Sequence, residues 1–133
     1  MKMRIFAQNK LWRDKAVELT EQMGSKVYWH RLDDIEYDKQ LRSKLLEESQ
    51  EVFSATSHKD LTNELADVVE VMQALCAANN ISWDEVIAAQ NKKRLERGGF
   101  EGRKFVTKAA HLDGSFGHQY CLNDPKKYPE IME

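Results

Sequence analysis

Two short runs hold acidic residues at spacings that could do chemistry: Glu47, Glu48 and Glu51 in KLLEESQEVF, and Glu64 and Asp67 in NELADVVEV. Successive residues of an α-helix are about 100° apart, so Leu41, Leu45, Glu48 and Val52 share one stripe. Glu48 therefore stands where the apolar pattern calls for a core residue. Glu51 lies about 60° round from it by the same count, on the flank between Lys44 and Ala55. In the second run Leu61, Leu65, Val68, Met72 and Leu75 make the apolar stripe. Glu64 sits at its edge near Val71, and Asp67 lies one step further round. Residues three apart share a helix face, so Glu48/Glu51 and Glu64/Asp67 are two acidic pairs that face or flank buried sides. If the helices pack antiparallel, four carboxylates converge. Clustered carboxylates repel, and burying charge is costly. A divalent cation answers both problems, and hard oxygen ligands select Mg²⁺ or Mn²⁺ over thiophilic metals. A plainer explanation stays open. Acidic pairs at this spacing are common on solvated helix faces, and Lys44, four residues before Glu48, can neutralise it as an ordinary helix ion pair.

The elements that must position these residues are helical. Residues 10–23, KLWRDKAVELTEQM, carry an apolar pattern that Gly24 closes. Residues 26–30, KVYWH, are rich in β-branched and aromatic side chains and read as a short strand or an extended packing segment. A long helix is expected from Asp33 to Ala55, capped by Asp33 or Asp34. Ser57 or His58 opens the next, which runs to about Asn79 and stops at Asn79-Asn80. Ser82 begins SWDE, a capping box with Glu85, and that helix ends at Gly98-Gly99. Short connections between long helices favour antiparallel neighbours, so the expected fold is an all-α antiparallel helical bundle. Residues 106–133 hold both prolines, two glycines and scattered aromatics, and are expected to form an irregular tail packed on the domain (1–105) or on a partner subunit.

Composition narrows the class. The 133 residues make one domain's worth of chain. Twenty Lys and Arg against 22 Asp and Glu give a net charge of -2, without the basic excess of a nucleic-acid-coating protein. No apolar run approaches the roughly 20 residues of a membrane helix, and MKMRIFAQNK has too short an apolar stretch for a signal peptide. Cytoplasm is the expected location, with no membrane partner. Cys76 and Cys121 are expected to be free thiols, and no CxxC pair offers a zinc site. No P-loop, Rossmann glycine pattern or nucleophile elbow is present.

KLLEESQEVF resembles the EExxE helix of MazG-like nucleotide pyrophosphohydrolases, and NELADVVEV resembles their following ExxD helix. KLWRDK and NKKRLERGGFEGR are similar to the flanks of the phosphoribosyl-ATP pyrophosphohydrolase-like branch. The resemblance covers about residues 10–105. It implies cleavage of the α–β phosphoanhydride of a nucleotide, giving a monophosphate and pyrophosphate, by a homo-oligomer of helical bundles. It implies Mg²⁺, with Mn²⁺ able to substitute, on Glu48, Glu51, Glu64 and Asp67. Glu48 and Glu47 would be the catalytic carboxylates; Glu47 would orient or deprotonate the attacking water, or would be no more than a solvated helix residue. The chain lacks the serine-tyrosine-threonine opening of the histidine-pathway enzymes, which argues for a nucleoside triphosphate or related nucleotide over phosphoribosyl-ATP itself.

Several residues could hold such a substrate. Lys93 and Arg97, at the basic end of the third long helix, could bind phosphates, although basic residues in a last turn also offset the helix dipole. Asn91 could recognise ribose or base. Arg13 and Lys15 belong to KLWRDK, and Trp12 or Trp83 could stack on a base or fill a core edge. His111, Asp113 and His118 resemble a metal set, but Gly114 and Gly117 between them argue for a loop. The rival function is a non-catalytic helical nucleotide-binding or adaptor protein whose acidic faces are only solvated.

Overall fold

Residues 10–13 are not helical and precede α1 (Asp14–Gln22), so the first helix begins four residues later than its apolar pattern indicates. Arg13 is the N-cap, in β geometry, and its carbonyl accepts the Ala16 N–H at 2.9 Å. Leu11 and Trp12 are half-buried there, and this packing outweighs the helix propensity of KLWR. Gly24, at φ 101°, takes the left-handed conformation that ends the helix. Residues 26–30 form no strand. They are an extended segment in which the Lys26 ammonium lies 5.0 Å from the Tyr28 ring centroid.

Two long helices follow. The Asp33 carboxylate accepts the Glu36 N–H at 2.8 Å and starts α2 (Asp34–Ser54). The Ser57 hydroxyl accepts the Asp60 N–H at 3.0 Å and starts α3 (His58–Ala78). Residues 55–57 leave room only for a sharp reversal, so α2 and α3 form an antiparallel hairpin, which supplies the principal helix–helix packing. Leu41 on α2 and Val71 on α3 are its buried apolar residues. The open end of the hairpin is clasped by Asn79, whose amide donates to Asp38 Oδ1 at 2.7 Å and to the Leu75 carbonyl at 2.9 Å. Asn80, at φ 55°, then turns the chain, as the short side chain of asparagine permits. The capping box forms as its residues require: Glu85 N–H donates to Ser82 Oγ at 3.1 Å, and Ser82 N–H donates to Glu85 Oε2 at 2.7 Å. It opens α4 (Trp83–Arg97).

The computed structural model describes residues 2–132, which divide into two compact units, one up to Glu96 and one from Arg97. Among the described residues there are five helices and no strand, so the chain is all-α. No helix is long and apolar enough to cross a membrane.

The second unit holds one short helix, α5 (Phe116–Leu122), which sequence reasoning missed inside the irregular tail. Its N-cap is Ser115. Gly117 makes room for the His111 ring, which a Cβ there would overlap. His118 Nδ1 accepts the Gly114 N–H at 2.9 Å, so this histidine closes a loop. Tyr120 stands between Phe116 and Tyr128, with ring centroids 6.2 and 5.6 Å away. Cys76 and Cys121 are free thiols, each half-buried.

Candidate metal centre

The hairpin brings Glu48, Glu64 and Asp67 together. Each offers a carboxylate oxygen, and the three oxygens lie within 4.8 Å of one another. Glu48 comes from the stripe of α2 that also buries Leu41, and it is itself buried. Glu64 and Asp67, one turn apart on α3, are half-buried. The antiparallel reversal explains the meeting: Glu48 lies in the last third of α2, and Glu64 and Asp67 lie in the first half of α3. Glu51 is exposed and stands outside this trio, yet its charge reaches Glu64.

The electrostatics mark Glu64 as the crowded member. Burial, then the neighbouring charges of Asp67, Glu51, Glu48 and Asp60, push its carboxyl above the ordinary glutamate range. Three oxygens of hard-ligand type, spaced within about a side-chain adjustment of the ~4.2 Å that spans an octahedral Mg²⁺, suit a small divalent ion. Its charge would also relieve the repulsion around Glu64.

Cations rim the trio. Arg13 Nη2 contacts Asp67 Oδ1 at 2.8 Å. Lys44 Nζ lies 3.5 Å from Glu48 and 3.6 Å from Glu47. Lys10 Nζ contacts Glu47 at 3.0 Å. The segment before α1 thus lies across the hairpin and borders an open cleft of about 310 Å³, whose walls include Trp12, Arg13, Lys44, Glu48 and Asp67. A second cavity of about 300 Å³ shares Lys10, Leu11 and Lys44 with it and reaches Glu47. The Lys10 hydrogen bond is the main reason the Glu47 carboxyl lies below its usual range, with Lys44 adding to it against the opposing effect of burial. Glu47 is therefore ionised through the neutral range, able to accept a hydrogen bond from water and weak as a proton acceptor.

The remaining sequence candidates lie elsewhere. Lys15 is exposed on α1, and Asn91 and Lys93 are exposed on α4. None of these three lines either cavity. Arg97, the last residue of α4, belongs to the second unit, where its charge is felt by Tyr120. Sequence reasoning weighed Lys44 only as a neutralising partner and passed over Lys10 altogether. The one signal for Lys10 is its place at the head of KLWRDK, and its contact to Glu47 spans 37 residues.

No curated protein and no solved structure matches the chain. The family model of phosphoribosyl-ATP pyrophosphohydrolase does match, over residues 15–94, which takes in all of α2 and α3 and every member of the carboxylate trio. That span exceeds half of the chain, and with the helical hairpin and its acidic faces already in view, the chain belongs to the phosphoribosyl-ATP pyrophosphohydrolase family.

Proposed function

We propose that this protein hydrolyses the α–β phosphoanhydride of a nucleoside triphosphate or related nucleotide, with Mg²⁺ as cofactor and Mn²⁺ able to substitute, releasing the monophosphate and pyrophosphate. Membership of a pyrophosphohydrolase family supports the reaction class. The observation that carries the reading is the carboxylate trio, two of whose members, Glu48 and Asp67, line a cleft together with Lys10, Arg13 and Lys44. Nucleotide phosphates need both a metal and cations, and this cleft offers the means for both.

Glu48, Glu64 and Asp67 would hold the ion, with Glu51 adding negative charge from the flank. A bound divalent ion neutralises phosphate oxygens and makes water a better nucleophile near neutral pH. The chain's own residues do the rest. Glu48 fixes the ion's place because burial denies its side chain other positions. Glu47, held by Lys10 and Lys44, orients the attacking water as an acceptor. Arg13 and the two lysines bind phosphate oxygens, and Trp12 forms a wall against which a base can stack. Asn91, Lys93, Arg97 and Lys15 are candidates for further substrate contacts.

A homo-oligomer fits the apolar surface of the first unit. Ile35, Leu46 and Phe53 on α2 are 81, 75 and 86% exposed, and Leu95 on α4 is 89% exposed. A helical hairpin with so few buried apolar residues needs cover. The role proposed is nucleotide-pool house-cleaning in the cytoplasm.

The test is a Mg²⁺-dependent assay over deoxy, ribo and damaged nucleoside triphosphates and phosphoribosyl-ATP, separating pyrophosphate from orthophosphate. Pyrophosphate from one or a few substrates is expected. Orthophosphate alone would mean a different phosphate hydrolase. A second reading draws on the ion pairs of Arg13 to Asp67 and Lys44 to Glu48, which partly neutralise the trio without any metal. In that reading the chain is a non-catalytic nucleotide-binding or adaptor protein, and silence across the panel together with a melting curve indifferent to Mg²⁺ would favour it.

A further inference from the structure

We propose that Arg13 is an exchange cation: its guanidinium holds Asp67 while no divalent ion is bound, and it turns to the nucleotide's phosphates once an ion takes that carboxylate. This rests on the metal-centre reading and deepens it, because it couples metal binding to substrate binding through one side chain.

The contact of Arg13 Nη2 to Asp67 Oδ1, at 2.8 Å, is made to a member of the trio whose oxygens lie within 4.8 Å of one another. A divalent ion at those oxygens withdraws their charge and repels the guanidinium at short range. Arg13 can leave cheaply. Its side chain is 59% exposed, and an exposed ion pair is weak. Its backbone need not move, since the residue is fixed as the N-cap of α1 through its carbonyl, and the side chain makes no cap hydrogen bond. The planar fork freed in this way matches two oxygens of a phosphate, and Arg13 lines the same cleft as Asp67 and Glu48.

The other two cations are built differently. Lys44, with its side chain only 18% exposed, straddles Glu47 and Glu48 and has little room to swing. Lys10 sits on Glu47, outside the trio. Of the three, only Arg13 combines a contact to a trio carboxylate with an exposed side chain. It also precedes the residues matched by the family model, which begin at 15.

The experiment is calorimetry on the full chain and its Arg13→Met variant. The first arm titrates Mn²⁺ alone. The second titrates, at saturating Mn²⁺, a nucleoside triphosphate analogue with a methylene bridge between the α and β phosphorus atoms. Removing the competitor should tighten Mn²⁺ binding about two- to fivefold, while loss of the fork should weaken analogue binding about tenfold or more. Opposite signs are the signature, since a purely structural role for Arg13 would weaken both. Arg13→Lys should leave Mn²⁺ affinity near that of the unaltered chain and give an intermediate loss of analogue. Unchanged or weaker Mn²⁺ binding in Arg13→Met overturns the proposal, as does unchanged analogue binding. So does equal Mn²⁺ tightening in Lys10→Met, which would trace the effect to bulk charge. Should Arg13→Met fail to fold, undiminished analogue affinity in Arg13→Lys overturns it instead. An unaltered chain that binds no Mn²⁺ removes the metal-centre reading itself, an outcome visible before any variant is made.

Discussion

The two ends of the α2/α3 hairpin treat carboxylates in opposite ways. Where α2 begins and α3 stops, Asp38 has a donor on each oxygen: Arg42 Nε on Oδ2 at 2.8 Å and Asn79 Nδ2 on Oδ1 at 2.7 Å. The Arg42 hydrogen bond, then that of Asn79, holds its carboxyl below the usual aspartate range. Toward the α2–α3 turn, the chain gathers Glu48, Glu64 and Asp67, and Glu64 is driven the other way by burial and four acidic neighbours. The same two helices therefore carry a satisfied carboxylate that ties structure together and a set crowded by its own charges. Groups whose ionisation the fold disfavours concentrate where a ligand is expected to complete the balance.

The sharpest way to break this comparison is Glu48→Gln. If the turn-side end is a site, turnover falls more than about 100-fold, beyond what loss of an outer-shell partner costs, while the metal-free fold stays intact or gains slightly, because charge leaves an acidic cluster. Lys44 is not orphaned by the change, since Glu47 remains 3.6 Å away. Kinetics beside circular dichroism checks both halves. A variant that fails to fold would make Glu48 a structural partner of Lys44 and assign this end to the same class as the Asp38 clasp.

The next effect in size is metal stabilisation. At about 100 times its Kd, Mg²⁺ bound only to the folded state adds ~2.7 kcal/mol, which calorimetric melting resolves as a rise in Tm. Asp67→Asn should lose most of that rise, whereas Asp38→Asn should keep it. A Tm that climbs equally in both variants would show that the ion binds somewhere other than the trio.

Much of the hairpin is legible in the sequence because helix periodicity and capping are local. Glu48 betrays itself by occupying a core position between Leu41 and Val52, and Asp33 and Ser82–Glu85 cap where short-range spacing requires. The convergence of the trio then follows from an antiparallel turn. What local pattern cannot carry is the strap. Arg13 meets Asp67 across 54 residues, and Lys10–Arg13 stay out of the helix because they lie over the hairpin, against the helical pattern of their own segment. The short α5 was hidden for a related reason: glycines at 114 and 117 read as loop, yet Gly117 is where the His111 ring packs.

Asp38→Asn itself probes the other end of the comparison, with a smaller effect. It weakens the pairing to Arg42 and leaves the Asn79 amide facing another amide, so Tm should drop by about 2–4 °C with turnover per folded molecule unchanged. The wild-type advantage conferred by Asp38 is present above the ordinary aspartate range and is lost as pH falls through its depressed folded value. A variant whose Tm deficit persists at the acid end would show that the amide clasp, and not the charge, is what matters there.

The smallest expected effect has the opposite sign and belongs to Glu64→Gln without metal. A carboxyl whose folded pKa lies above its unfolded value favours folding while it is protonated, and that benefit disappears as pH rises through the folded value. Above that point the ionised group penalises the metal-free fold, so the variant should melt higher than the unaltered chain, by about a degree or two, at neutral and alkaline pH. As pH falls below the ordinary glutamate range the two curves should meet, because both chains then carry a neutral group at this position. Saturating Mg²⁺ should invert the order at neutral pH, since the ion stabilises the carboxylate and gains less from the amide. Paired melting curves across pH, with and without Mg²⁺, read all of this in one series. If Glu64→Gln melts lower at every pH without metal, the crowding at the turn-side end is compensated within the fold, and the contrast with Asp38 that separates site from scaffold fails.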